Sequence, residues 1–327
     1  MADVEFRRAI RDALDEELAR DERVLLFGED VAAAGGVFVV TPDLVDKYPG
    51  RVFDTPISEL ALTGAAFGSA VCGMRPVIEI MFGDFLPLAM DSLVNQAAKY
   101  WYISKEQASV PLVVRSAIGA GGRFGAIHSQ TPISWFLGVP GMKIVCPAIP
   151  RDAKGLLKAA IRDPNPVIFL EHKRLYSLKG EVDGDVIPIG KAAVVRPGRD
   201  ITMVGAMKTV HDCVQAANQL AERGIEAEVI DLRTLRPMDT GLVLESVAKT
   251  SRLVVVEEGP KTGGWAAEVI ARISEQVLDQ LDDIWRITTA DTPIPYSPTL
   301  EDAFLPSSKT IVDSILAHGS RHSPKDG

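Results

Sequence analysis

Pro111-Leu112-Val113-Val114-Arg115 runs directly into Ser116-Ala117-Ile118-Gly119-Ala120-Gly121-Gly122-Arg123-Phe124-Gly125-Ala126-Ile127-His128-Ser129-Gln130. Its apolar start is continuous rather than alternating, which is the pattern of a strand covered on both faces. Similar runs recur at 76–80, 143–146 and 167–170. Helical stretches stand among them at 59–71, 86–102 and 152–161. Ahead of them lies a helix over 4–19, whose Phe6, Ile10, Ala13, Leu14 and Leu18 step by three and four, and then a strand at 24–27. Buried strands alternating with helices predict the α/β class, with a mostly parallel sheet covered by helices on both faces.

The glycines after the strand permit positive φ and close approach of the backbone to another group. A dinucleotide-binding turn would open a helix there and place an acidic residue about 20 positions on. Pro132 interrupts such a helix, and no Asp or Glu stands between Gly119 and Pro150. The Gly-Lys-Ser/Thr ending of a nucleotide-triphosphate loop is absent too. What remains is an irregular loop at the carboxyl end of a parallel strand, the usual ligand position in open α/β sheets, and it delivers His128 there.

A chain of 327 residues fits two domains of roughly 150 residues each. Between 176 and 200 Gly, Pro and charge mix without a long period, apart from a short apolar run at 192–195. The boundary is placed inside that segment, giving domains 1–185 and 186–317. Beyond it strands at 201–204, 226–231, 252–257 and 285–289 alternate with helices at 210–222, 241–248 and 264–276. That reads as a second, smaller parallel α/β domain. Residues 318–327 are polar, with Gly, Ser and Pro, and are expected to form a frayed, disordered tail.

Hydrophobic residues make up 46% of the chain and charged ones 24%, which fits a soluble globular protein with ample material for its cores. A net charge of −9 opposes binding to phosphate backbones or anionic lipid, so neither nucleic acid nor membrane is expected as a partner. The start of the chain lacks the layout of a secretion signal and no apolar run reaches about 18 residues, so a cytoplasmic protein is expected. Cys72, Cys146 and Cys213 stand far apart in apolar contexts, without the close spacing of a zinc site. All three are expected to be buried, reduced thiols.

Several strings coincide in order: Gly28-Glu29-Asp30, Asp54-Thr55-Pro56-Ile57-Ser58-Glu59, Arg75-Pro76-Val77, Asp84-Phe85, His128-Ser129-Gln130, Asp152-Ala153-Lys154-Gly155-Leu156-Leu157, and Asp231-Leu232-Arg233-Thr234-Leu235-Arg236-Pro237. Together they resemble the β subunits of the thiamine-diphosphate-dependent decarboxylating component of 2-oxo acid dehydrogenase complexes. Cys72-Gly73-Met74-Arg75-Pro76 and Glu171-His172-Lys173-Arg174-Leu175-Tyr176-Ser177 look closest to acetoin dehydrogenase β subunits.

The resemblance implies a transketolase-like pyrimidine-binding domain followed by a transketolase C-terminal-like domain used in assembly. It also implies an α₂β₂ heterotetramer, thiamine diphosphate shared with an α subunit that holds magnesium, and a lipoyl acyltransferase as the acyl acceptor. The α subunit's Gly-Asp-Gly motif is missing, Asp183-Gly184-Asp185 being the wrong order, so this chain alone should not bind the cofactor productively. Two other readings remain open: a subunit of a split transketolase acting on sugar phosphates, and an assembly subunit whose catalytic role has decayed.

The site residues that the resemblance implies each have a plainer alternative. Glu59 matches the glutamate that activates the cofactor's pyrimidine, but it could also be a helix-start acid behind a Ser58 cap. Phe85 is expected to pack on the pyrimidine face, or simply to fill a core. Glu29 is expected to relay protons between paired sites, or to be a loop carboxylate facing water. His128 matches a histidine near the substrate end, able to donate to an oxyanion or deliver a proton, where an isolated loop histidine is usually just solvated. Leu112, Ala160, Ile161, Asp163 and Asn165 match positions that hold potassium through carbonyl oxygens in relatives, although Pro164 and Pro166 would explain a plain helix-ending turn. Ile133 and Gly138 depart from the family's usual Glu and His, which leaves the choice between 2-oxo acids and acetoin open.

Overall fold

A computed structural model of the chain describes residues 3–319. The first part comprises β1 (Asp3–Glu5), α1 (Phe6–Arg20), β2 (Val24–Gly28), α2 (Leu44–Lys47), β3 (Val52–Asp54), α3 (Glu59–Val71), β4 (Arg75–Ile80), α4 (Tyr100–Ile103), β5 (Val113–Ile118), α5 (Ile133–Leu137), β6 (Lys143–Val145), α6 (Pro150–Arg162), β7 (Val167–His172) and β8 (Lys179–Glu181). The second comprises β9 (Ala193–Arg196), β10 (Ile201–Gly205), α7 (Lys208–Ala221), β11 (Ala227–Asp231), β12 (Thr234–Arg236), α8 (Thr240–Thr250), β13 (Arg252–Pro260), α9 (Trp265–Val277), β14 (Asp283–Thr289), α10 (Pro298–Phe304) and α11 (Ser308–Gly319).

The expected α/β class holds. One sheet runs β12-β6-β7-β5-β4-β2-β3 and is parallel except where β12 meets β6; the other runs β14-β13-β10-β11-β9 and is parallel except at β9. Every residue of β5 and β7 is buried, the apolar ones as a strand covered on both faces requires, and Arg115, Ser116, Glu171 and His172 along with them. On α1 the residues Phe6, Ile10, Ala13, Leu14 and Leu18 face the core, and the helix packs on α6.

Several expectations need correction. The helix expected at 86–102 is broken: Pro87, which has no N–H to donate, lies in a 3₁₀ turn at Gly83–Ala89, followed by a π-helical stretch at Asp91–Ala97 and then α4. The strand expected at 111–115 starts at Val113 and continues to Ile118. Sequence reading also passed over β8, which pairs with β1, and β12, which pairs with β6 across the 185/186 division, so the first sheet takes a strand from the second domain. Cys72 is exposed, since it caps the end of α3 where the buried face has ended; Cys146 and Cys213 are buried and free as expected. The expected tail loses His318 and Gly319 to α11, and the His318 ring stacks on Trp285 at 4.3 Å. The rest of that tail lies outside the described residues.

Candidate active site

Four neighbouring strands, β5, β4, β2 and β3, end on the same edge of the first sheet, and the segment after each carries one of the expected residues. Glu29 follows β2, Glu59 follows β3 at the start of α3, Phe85 lies in the 3₁₀ turn after β4, and His128 lies in the glycine loop after β5. This edge is where parallel sheets bind ligands, because the helix starts and loop amides converge there. At Gly28 a Cβ would stand 2.6 Å from the Glu79 carbonyl oxygen, so β2 can turn out beside β4 only with glycine there.

Glu29 and Glu59 are both buried, at 4% and 7% exposure. The Ser58 N–H donates to Glu29 Oε1 at 3.2 Å, which ties the start of α3 to the loop after β2. Ser58 makes no side-chain cap, so the plain helix-cap account of this turn does not hold. Burial, and then the nearby Glu59 charge, push the Glu29 carboxyl above its ordinary value. Among the described residues the Glu59 carboxylate has neither a hydrogen bond nor an ion pair. Ile57 and Leu60 beside it are 81% and 53% exposed, so their apolar surface shields the carboxyl only when something covers them.

Phe85 is half-buried, and α3 packs against its 3₁₀ turn. Its ring meets the His128 imidazole edge-on at 5.5 Å, and Phe82 meets the same imidazole at 4.6 Å. Asp84 Oδ1 accepts from the Gln130 N–H at 3.1 Å and from Gln130 Nε2 at 2.9 Å, so the end of the glycine loop is moored beside Phe85. The second domain holds the loop's other end. Glu258 Oε1 accepts from the Ala120 N–H at 2.6 Å, and Glu301 Oε1 accepts from the Gly121 N–H at 2.9 Å. At Gly119, with φ of +91°, a Cβ would lie 2.3 Å from the His172 ring, which itself bonds Glu258 at 2.9 Å. Glu258 and Glu301 were not found from sequence: their loop partners lie 138 and 180 residues away, and no local pattern links them.

With the site laid out, the likeness to known proteins becomes specific. The family profile "Transketolase, pyrimidine binding domain" matches residues 2–179, and "Transketolase, C-terminal domain" matches residues 190–311. The β subunit of acetoin:2,6-dichlorophenolindophenol oxidoreductase from Cupriavidus necator is 46% identical, covering 94% of each chain. The mitochondrial pyruvate dehydrogenase E1 component subunit beta of Drosophila melanogaster is also 46% identical, over 95% of this chain and 87% of that one. The chain belongs to this transketolase-like family of dehydrogenase β subunits. The 2-oxoisovalerate dehydrogenase subunit beta of Bacillus subtilis is 45% identical over 93% of this chain and 95% of its own. A split gene transketolase solved as an inactive beta4 tetramer superposes with a TM-score of 0.81 over 96% of this chain and 98% of its own; at 22% identity that likeness shows the fold alone.

In this β subunit the expected potassium positions lie at the other end of the first sheet, where α6 hands over to β7. The Ile161 and Asp163 carbonyls converge on one nitrogen, Arg75 Nη1, at 2.8 and 3.3 Å. The Ala160 carbonyl accepts from the Asp163 N–H, and the Leu112 carbonyl accepts from the Val167 N–H. Asn165 donates to Asp163 Oδ1 at 2.9 Å, and Lys143 pairs with the other carboxylate oxygen. Converging carbonyls suit a cation, and each keeps a second lone pair beside the guanidinium.

The two departures from the family pattern stand at either end of α5. Ile133 is buried at the start of α5. Gly138 ends that helix beside a cavity it shares with Arg236, Glu268 and Arg272, and a Cβ there would meet nothing within 4 Å. A cleft of about 1000 Å³ lies between Ile127, Trp135, Glu258 and Asp291, on the glycine loop's far side, and neither Glu59 nor Phe85 lines it. The exposed apolar side chains Phe53, Leu88, Trp101, Tyr102, Ile103 and Phe124 belong to the same first domain as Ile57 and Leu60.

Proposed function

We propose that this chain is the β half of a thiamine-diphosphate-dependent acetoin or 2-oxo acid dehydrogenase component, active with an α partner in an α₂β₂ assembly. The carrying observation is Glu59: a residue only 7% exposed whose carboxylate has no hydrogen-bond or ion-pair partner among the described residues, at a strand-end rim edged by exposed apolar side chains. Such a group suits a heteroaromatic ring nitrogen that it can bond and exchange a proton with. When bound, the cofactor supplies a carbon acid and an electron sink for cleaving a bond beside a carbonyl.

Glu59 holds the proton at the pyrimidine ring nitrogen. Glu29, whose carboxyl burial and the Glu59 charge push above its ordinary value, stands beside Glu59 as the proton relay. Phe85 offers the ring a flat wall, and His128 presents an imidazole toward the carbonyl oxygen of the substrate. The diphosphate and magnesium fall to the α partner, and the acyl group passes to the lipoyl arm of an acyltransferase.

The purified chain is expected to turn over neither acetoin nor pyruvate, and to gain thiamine-diphosphate-dependent reduction of dichlorophenolindophenol when its α partner is added. Full activity of the chain alone, or turnover of ketose phosphates instead, contradicts the proposal. The carbonyls around Asp163 are proposed to take potassium on their remaining lone pairs, where it would buttress the subunit far from the chemistry. Replacing choline chloride with potassium chloride at constant ionic strength is expected to raise the melting temperature by about 3–5 °C, the shift for a cation at roughly ten times its dissociation constant. Equal melting temperatures in the two salts remove potassium from the account.

A further inference from the structure

Lys173 takes no part in the proposed chemistry, yet it sits where the anchors of the glycine loop meet. It opens the 3₁₀ turn Lys173–Leu175 directly after β7 and is 9% exposed. Its ammonium donates to the His128 carbonyl oxygen. The same ammonium lies 5.3 Å from the centre of the Phe82 ring and 5.4 Å from that of Phe124. Phe82 is also the ring against which the His128 imidazole rests, at 4.6 Å. One lysine therefore holds both the backbone of His128 and the wall that orients its side chain. A cation held between two aromatic rings and a carbonyl, with little water, is a stiff fixture, because each contact loses strength when the ammonium moves.

We propose that Lys173 is a positioning residue, which fixes the His128 end of the glycine loop so that the imidazole meets the substrate in one pose. The inference rests on the reading of His128 as the group at the substrate end of the site. The charged groups facing Lys173 are Asp84 from the 3₁₀ turn after β4, Glu258 at the end of β13 and Glu301 on α10. Glu258 is paired with His172, and Glu301 with Arg123. His128 faces it from the loop, and the neighbouring Arg174 donates to the Gly121 carbonyl. Burial lowers the Lys173 ammonium to about 8, against the opposing pull of Asp84, Glu258 and Glu301. As pH rises through that value the cation and its attraction to Phe82 and Phe124 disappear, and the hold on His128 loosens. An arginine at this position stays charged throughout that range.

The test uses wild type, K173M and K173R, each as the full chain with its α partner. Turnover of acetoin and pyruvate is followed between about pH 6 and 10. Thiamine diphosphate binding is measured by calorimetry on the same mixtures. K173M is expected to lower kcat about ten- to a hundredfold while leaving cofactor affinity nearly unchanged, the signature of a misplaced group. The wild-type rate is expected to fall on the alkaline side near pH 8, and K173R to move that fall upward. A kcat within about twofold of wild type in K173M, or an alkaline limb unmoved in K173R, overturns the proposal. If K173M does not assemble, the limb of K173R decides alone.

A second readout needs no turnover. In the isolated chain labelled at histidine, the His128 ring resonance, assigned with H128A, is expected to broaden or split in K173M, and an unchanged resonance also overturns the proposal. Should the wild-type mixture bind no thiamine diphosphate, the functional reading fails and the resonance still decides the role of Lys173.

Discussion

Exchanging Glu59 for alanine is expected to lower the turnover of the assembled α and β chains by about a thousandfold, the midrange of what a positioned acid or base contributes. The side chain makes no hydrogen bond or ion pair among the described residues, so its loss disturbs the fold little. The chief structural cost is the acid's interaction with the start of α3, about 0.3–1 kcal/mol. The variant's melting temperature should therefore stay within about 4 °C of wild type. Glu59→Gln sharpens the test, because an amide keeps the shape and can still bond the ring but cannot exchange a proton with it. It should bind thiamine diphosphate nearly as wild type does and still be slow. Full turnover in either variant contradicts the role given to Glu59.

The other large effect is one of stability. Arg115 is 1% exposed at the middle of the first sheet, with Nη1 on Glu79 at 2.7 Å and Nε and Nη2 on Glu171 at 2.7 and 2.9 Å. The Tyr176 hydroxyl donates to Glu171 at 2.9 Å and completes the cluster. Burial works against the guanidinium charge, but the Glu171 and Glu79 carboxylates outweigh it and hold the charge firmly. Burial pushes the Glu171 carboxyl up, opposed by Arg115.

Arg115→Met removes the cation and strands the carboxyls, which costs about 3–5 kcal/mol. The melting temperature is expected to fall by roughly 10 °C at neutral pH. The sign of the pH dependence follows from Glu171: without Arg115 its folded pKa rises further above the unfolded value, so the folded variant binds the extra proton. The deficit should thus grow as pH rises from about 5 to 8 and shrink toward acid. A melting temperature equal to wild type at neutral pH contradicts this account of the cluster.

Much of this architecture could be read from residues that act locally. The apolar stretches of β4, β5 and β7, continuous rather than alternating, announce strands buried on both faces, and the three- and four-residue spacing on α1 announces its core face. Where the reading failed, distant contacts decided the outcome. Thr234–Arg236 is too short to read as a strand, and it becomes β12 only because β6, some ninety residues earlier, offers an edge. Pro87 breaks a stretch whose apolar spacing alone suits one long helix.

The same division runs through the site. Glu29, Glu59, Phe85 and His128 stand in strings that resemble a known family, and the sheet brings all four to one edge. Nothing local marks Glu258 or Glu301 as anchors of the glycine loop, and Lys173 reads as an ordinary charge until its two rings are seen. That the Glu59 carboxylate has no partner among the described residues is a property of the fold that no string of letters displays.

A crystal structure of the α and β chains with thiamine diphosphate bound tests the central claim most directly. The account predicts the Glu59 carboxyl about 2.6–3.2 Å from a ring nitrogen of the pyrimidine, with Ile57 and Leu60 covered by the partner. A pyrimidine seated elsewhere, or a Glu59 side chain turned into solvent beside a filled site, would contradict it.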